Sequence, residues 1–359
     1  MGAFCTELGE RVTNMSSQEG LYMTDLGYLA EKINDYWLLQ ETDIDGSHWR
    51  AGTYFVGCMA AYRMTGKKAY LDAAVKWAQD SQWSFYMNTK HQLIPTYYKN
   101  ADNITCAQVY FELLDLLPGC GTDEKILHDL LLTIEDAESD YWAWCDLIYM
   151  GLPTYHLYAG RYHDDRFIEK AHQLFLNIRD ERGLYDREAH LWYRDENWLP
   201  DKKLTPGGRK VFWGRGNGWV LAGRARGMEF LDKDAKYYEE YQKVFCEMAE
   251  ALLPWQQEDG MWRCSLIDPK QYDIPEASAT ALISYGLAKG IELGVLDREK
   301  YLPVVLKAFG VMKSMCIDEE GRLGYVQGVA GWPGPVTPEG TAGYAVGTFI
   351  LLCEVLQRL

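Results

Sequence analysis

Apolar residues along this chain fall into two alternating patterns. In the first they recur at the i, i+3, i+4, i+7 spacing of one helical face. The stretch A-Y-L-D-A-A-V-K-W-A-Q sets Leu71, Ala74, Val75 and Ala78 on one side, with Asp72 and Lys76 opposite. R-F-I-E-K-A-H-Q-L-F-L-N-I repeats the pattern with Phe167, Ala171, Leu174, Phe175 and Ile178. Similar stripes near residues 22–40, 124–137, 236–253 and 300–315 complete a set of six amphipathic helices. The second pattern is apolar nearly all round and rich in Gly, Ala and Ser, at residues 50–64, 104–117, 142–159, 217–230, 277–293 and 341–357. A helix without a polar face must be covered on every side, and its small residues let neighbours approach closely.

Six outer helices alternating with six inner ones predict six helical hairpins. Closed on themselves they make an all-α (α/α)6 toroid, read here as one domain over residues 1–359, although that length alone suggests two domains. All inner N-termini of a toroid point to the same end. The loops S-H-W-R, N-A-D-N, D-Y-W-A-W-C-D, F-W-G-R-G-N-G-W, P-E-A-S and P-E-G-T-A-G therefore converge on one funnel, rimmed by helix N–H groups that favour anions. D-G-M-W, E-G-R-L-G-Y and G-L-Y-D-R-E-A-H-L-W-Y-R lie at that end too and are expected to form short hairpins.

Composition narrows the ligand. A formal net charge of -16 argues against nucleic acid or an anionic membrane surface, both of which need clustered Lys and Arg. An acidic ligand would have to be met by a few local arginines, so arginines beside aromatic residues carry most interest. The nine cysteines are scattered singly, with no C-x-x-C, so neither a zinc site nor a disulfide framework is expected. Neither a signal peptide nor a membrane span is legible. The expected location is cytoplasmic, or periplasmic had a leader been removed, and the expected state is a monomer or weak homodimer.

The densest motif is V-F-W-G-R-G-N-G-W, Val211 to Trp219. Its glycines resemble a phosphate loop, but no strand precedes them and no Gly-Lys-Ser/Thr follows, so that reading fails. A helix entry remains, with Trp213, Arg215 and Trp219 projecting into the funnel; the alternative is an aromatic junction with Arg215 in a structural ion pair. Asp146 lies in a buried apolar run whose helical neighbours are Trp142, Ala143, Tyr149 and Met150. Desolvation would raise its pKa, as suits a general acid near neutral pH; the alternative is a carboxylate bonded to a backbone amide or to an arginine of another helix. Asp102 could be a helix N-cap or the second carboxylate of a pair flanking a sugar. Arg194 and His48 are loop residues beside tryptophans and rank as substrate contacts. D-I-D-G at 43–46 lacks the later carboxylate of a calcium loop, and no metalloprotease or hydrolase-triad motif occurs.

Together W-G-R-G-N-G-W at 213–219, W-A-W-C-D-L-I-Y-M-G-L-P at 142–153 and N-A-D-N-I-T-C-A-Q at 100–108 resemble the unsaturated rhamnogalacturonyl hydrolases of glycoside hydrolase family 105. The related unsaturated glucuronyl hydrolases of family 88 more often show R-G-Q at the first place. The resemblance implies an (α/α)6 barrel that removes the 4,5-unsaturated uronic acid from oligosaccharides made by polysaccharide lyases. It does so by hydrating a vinyl ether, without metal or cofactor. Matched motif to motif, Asp146 falls at the general acid/base and Asp102 at the second acidic position. Trp144, Trp213, Arg215 and Trp219 fall where the unsaturated sugar is held. Arg194 departs from the family pattern, in which histidine is common. The rival readings are a conventional inverting glycosidase using the same two aspartates and a non-catalytic carbohydrate-binding protein.

Overall fold

The computed structural model describes residues 26–40, 44, 46–85, 100–118, 122–135 and 142–359. Cys5, Cys120, residues 22–25 and 136–137 of two expected stripes, and Asp43 and Asp45 of D-I-D-G lie outside them. Outer and inner helices alternate as the patterning requires. The outer set is α1 (26–40), α3 (Lys68–Asp80), α6 (Asp123–Glu135), α8 (Arg166–Leu176), α10 (Tyr238–Leu252) and α12 (Arg298–Val311). The inner set is α2 (Trp49–Thr65), α4 (Ala101–Ile104) continued by α5 (Ala107–Leu116), α7 (Leu147–Tyr162), α9 (Gly214–Glu229), α11 (Ala277–Glu292) and α13 (Gly343–Arg358).

The inner helices close into a ring. Contacts run from α2 to α4 and α5, on to α7, α9, α11 and α13, and back to α2. The closing contact is made backbone on backbone, since a Cβ added at Gly57 of α2 would stand 2.2 Å from the Gly347 Cα of α13. Only glycine permits that approach. Outer helices bury one stripe each. On α8, Phe167, Ala171, Leu174 and Phe175 are inside while Arg166 and Gln173 face solvent. On α9, by contrast, every residue from Gly214 to Met228 is buried.

Two of the predicted boundaries shift. The inner segment expected at 104–117 is broken at Thr105 and Cys106 and begins at Ala101. The segment expected from 142 becomes helical only at Leu147, so Trp144 and Asp146 stand on the loop that enters α7. Among the described residues, strand is confined to a hairpin, β1 (Tyr185–Asp186) paired antiparallel with β2 (Leu191–Trp192), in the G-L-Y-D-R-E-A-H-L-W-Y-R loop. E-G-R-L-G-Y contributes a single bridge, Ile317 to Leu323. Seven cysteines among the described residues are free, six of them buried. No described helix is long and apolar enough to cross a membrane.

Candidate active site

The W-G-R-G-N-G-W motif is where α9 enters the ring, and its small residues are packing devices. A Cβ at Gly214 would lie 2.4 Å from the Arg263 carbonyl oxygen, and one at Gly218 would lie 2.8 Å from the Leu282 Cβ of α11. Asn217 braces the hairpin: its Oδ1 accepts from the Trp192 N–H at 2.8 Å, and its Nδ2 donates to the Trp192 and Trp213 carbonyls, each at 3.0 Å. That brace fixes the next turn of chain, whose Arg194 carbonyl accepts from the Cys145 N–H at 2.9 Å. Thus α9 and the hairpin jointly hold the loop that carries Asp146.

Asp146 sits at the N-cap position of α7 but makes no capping bond with its side chain. It is 7 % exposed. Arg194 Nε donates to Oδ2 at 3.2 Å, while Oδ1 is buried without a partner. Burial raises its pKa, opposed by the cations of Arg194 and Arg215. A buried carboxyl oxygen left bare is costly unless it carries a proton or meets a ligand. Arg194 is itself shared, donating from Nη1 to Asp195 Oδ2 at 2.7 Å and lying 5.0 Å from the Trp144 ring centroid. The arginine partner weighed as the structural alternative for Asp146 is therefore present, yet it occupies only one oxygen.

Asp102 stands in the first turn of α4, with Asn100 as the cap: Asn100 Oδ1 accepts from the Asp102 N–H at 3.0 Å. The capping role considered for Asp102 thus belongs to its neighbour, and the Asp102 carboxyl is left for other work. Its pKa is raised to about 7, first by burial and then by the negative charge of Asp146, with Arg194 pulling the other way. The two carboxyls therefore titrate as a coupled pair. Helix α4 packs on both α2 and α7, which brings Asp102 to the same mouth as Asp146.

Arg215 is 1 % exposed. Its Nη1 donates to the Gln327 carbonyl at 2.6 Å and its Nη2 to the Gly328 carbonyl at 2.8 Å, with Ser278 Oγ at 3.4 Å. It is sandwiched between Trp213 at 4.6 Å and Tyr344 at 4.9 Å. Trp213 Nε1 donates to Gln327 Oε1 at 2.8 Å. So two of the four residues expected to hold the sugar are buried and grip the 325–334 loop, while the charge of Arg215 reaches Asp146. Trp219 lies deeper, its ring 4.7 Å from Tyr149, 6.2 Å from Tyr344 and 6.3 Å from Trp49.

His48 occupies the N-cap position of α2 without capping, and its ring lies 5.7 Å from Trp49. Burial, aided by Arg50, pushes its pKa down to about 4, so the imidazole is neutral near pH 7, with Nδ1 buried and unpartnered. Sequence reasoning passed over Trp49, Tyr344 and Gln327. The first is adjacent to His48 and the second opens the last inner helix, so both lay beside segments already singled out.

The fold and the site define a class: a helical toroid whose inner N-termini gather a raised, coupled carboxyl pair, two arginines and a wall of aromatic rings, as in glycoside hydrolases. A model of glycosyl hydrolase family 88 matches residues 26–359, and the chain belongs to that family. A relative from Formosa agariphila named unsaturated 3S-rhamnoglycuronyl hydrolase is 31% identical over 329 residues, 86% of this chain and 84% of that one. A solved structure titled glycosyl hydrolase family 88 from Bacteroides vulgatus matches with TM-score 0.87 and 30% identity, covering 94% of this chain and 99% of that one. A family 105 glycoside hydrolase from C. acetobutylicum shares the fold at TM-score 0.75 and 21% identity, over 92% of this chain and 99% of that one. The motif resemblance to family 105, with family 88 as its relation, is met by structures of both families.

Proposed function

We propose that this enzyme removes the 4,5-unsaturated uronic acid from the non-reducing end of lyase-generated oligosaccharides, adding water across the C4=C5 vinyl ether. The name of the Formosa relative supports rhamnose as a component of the glycone–aglycone pair, and the family match over 26–359 supports a single catalytic domain. The observation that carries the reading is Asp146: a carboxyl raised by burial, anchored by Arg194 through one oxygen and bare at the other.

The protonated Asp146 gives its proton to C4, and the electron pair of the double bond forms the new C–H bond. Positive charge develops at C5 and the ring oxygen. Water adds at C5 and loses a proton to the Asp146 carboxylate, which restores the acid. The hemiketal then opens to a C5 ketone and a C1 hemiacetal, and the hemiacetal expels the aglycone as an alcohol, leaving an aldehyde. Asp102, coupled to Asp146, orients the ring and balances charge as the proton leaves. Trp144 offers an apolar face to the sugar, Trp219 backs the aromatic wall from within, and Arg215 supplies positive potential near its carboxylate.

Turnover in heavy water tests the chemistry. Hydration predicts one deuterium incorporated at C4 of the released uronate. Deuterium spread over both faces of C4, as when a released enol ketonises in solution, or cleavage of a saturated glycoside at a comparable rate, would instead mark an inverting glycosidase using the same pair.

A further inference from the structure

The 325–334 loop turns sharply at Tyr325, whose φ of 58° lies in the left-handed region that few side chains adopt. The strain is held by a dense set of bonds. Gln327 N donates to Glu276 Oε1 at 3.0 Å, its carbonyl accepts from Arg215 and from the Tyr344 hydroxyl at 2.5 Å, and its Nε2 donates to the Trp332 carbonyl at 2.8 Å. Backbone strain so over-determined is typical of functional loops. What the loop presents is Trp332, a tryptophan 52 % exposed. It stacks on Trp198 of the 195–199 loop, with ring centroids 6.1 Å apart and planes at 27°.

The pair adjoins the catalytic groups in a short relay. A Cβ at Gly331 would stand 3.1 Å from the Arg194 guanidinium carbon, and Arg194 holds Asp146. The backbone next to Trp332 therefore packs on the arginine that holds the reacting carboxyl. Lys203 Nζ lies over the Trp198 ring, 6.0 Å from its centroid, and sets a positive charge beside the pair. Trp332 is exposed and Trp198 half-buried, and a large apolar ring held out in solvent is a feature of binding surfaces. The C–H face of a pyranose packs on such a ring, its polarised hydrogens against the negative π face.

We propose that Trp332 and Trp198 form a sugar-stacking subsite for the aglycone beyond its first residue, with Lys203 favouring a uronate there. The subsite rests on the hydrolase reading, and through Gln327 it is joined to the motif residues Trp213 and Arg215. One loop thus sets both the inner pocket and the outer platform.

Steady-state kinetics of wild type, Trp332→Ala and Trp332→Phe test it on two lyase products, an unsaturated disaccharide and the matching tetrasaccharide. Loss of one stacking face predicts a fall of about tenfold in kcat/KM for Trp332→Ala on the tetrasaccharide, carried by KM because the contact is the same in ground and transition states. Disaccharide turnover should be unchanged, and Trp332→Phe should keep most tetrasaccharide activity. Equal losses on both substrates would indicate a structural role for Trp332, and undiminished tetrasaccharide turnover would remove the platform; either overturns the proposal. Wild type inert on both compounds would instead overturn the hydrolase reading, and the subsite with it.

Discussion

Arg194→Met isolates the electrostatics of the acid. The substitution removes a cation whose Nε lies 3.2 Å from Asp146 Oδ2 while keeping an apolar stem over Trp144. Two unit charges at that separation attract by about 5 kcal/mol at an effective dielectric of 20, an upper bound for the pair. Arg194 divides its charge between Asp146 and Asp195, and its side chain is 26% exposed, so solvent screens part of the effect. Losing what remains of that attraction raises the Asp146 pKa further. Losing a cation disfavours the carboxylate, so the protonated acid persists to higher pH. The alkaline limb of the kcat/KM profile should move to higher pH. Proton donation to C4 should slow because a weaker acid is the poorer donor. A pH–rate profile from pH 4 to 10 reads both. An alkaline limb that stays put or moves down would refute the argument that Arg194 acts on Asp146.

Asp102 makes stability depend on pH. Its value rises from the ordinary 3.8 to about 7 on folding, so the folded state prefers its protonated form. The stability linked to that proton is complete below the unfolded value and is lost as pH rises through the folded one. Asp102→Asn should therefore flatten the decline in denaturation midpoint between the two values, and parallel wild-type and variant curves would contradict this. Arg215→Met strands the Gly328 carbonyl, leaves the Gln327 carbonyl to the Tyr344 hydroxyl alone, and should cost about 1–3 kcal/mol in chemical denaturation. It should also raise KM as the 325–334 loop loosens; a variant of wild-type stability and kinetics would show that the clamp is idle.

Legibility in the sequence followed the range of the forces involved. The alternation of striped and all-apolar segments is a local signal, and it identified outer and inner helices because burial on one face or on all faces is written in consecutive residues. The toroid followed from their number. The burial of Asp146 was legible in the apolar run around it, but its place on the entry loop was not, because the helix on which its neighbours were counted begins only at Leu147. Asn100 and Asp102 are both competent caps, and propensity does not choose between two Asx residues so close together. Which one reaches a helical N–H depends on where α4 starts, and α4 is a separate short helix that packs on α7 and α2. The clamp of Arg215 on Gln327 joins residues 112 apart, and the contact of Arg194 with Asp146 joins residues 48 apart. Both depend on ring closure, as does the meeting of Trp49 with Tyr344. Side-chain chemistry declared that these arginines would seek oxygen atoms; only the fold decided which.

The measurement that bears most directly on the central claim is the ultraviolet absorbance of the conjugated uronate when the enzyme meets lyase-generated rhamnose-containing oligosaccharides, with Asp146→Asn in parallel. Wild type should abolish the absorbance as the double bond is hydrated. The variant, matched in folding by circular dichroism, should be slower by about 10² to 10⁴-fold, the range for loss of a general acid. Absorbance unchanged by wild type, or an Asp146→Asn enzyme as fast as its parent, would contradict the account.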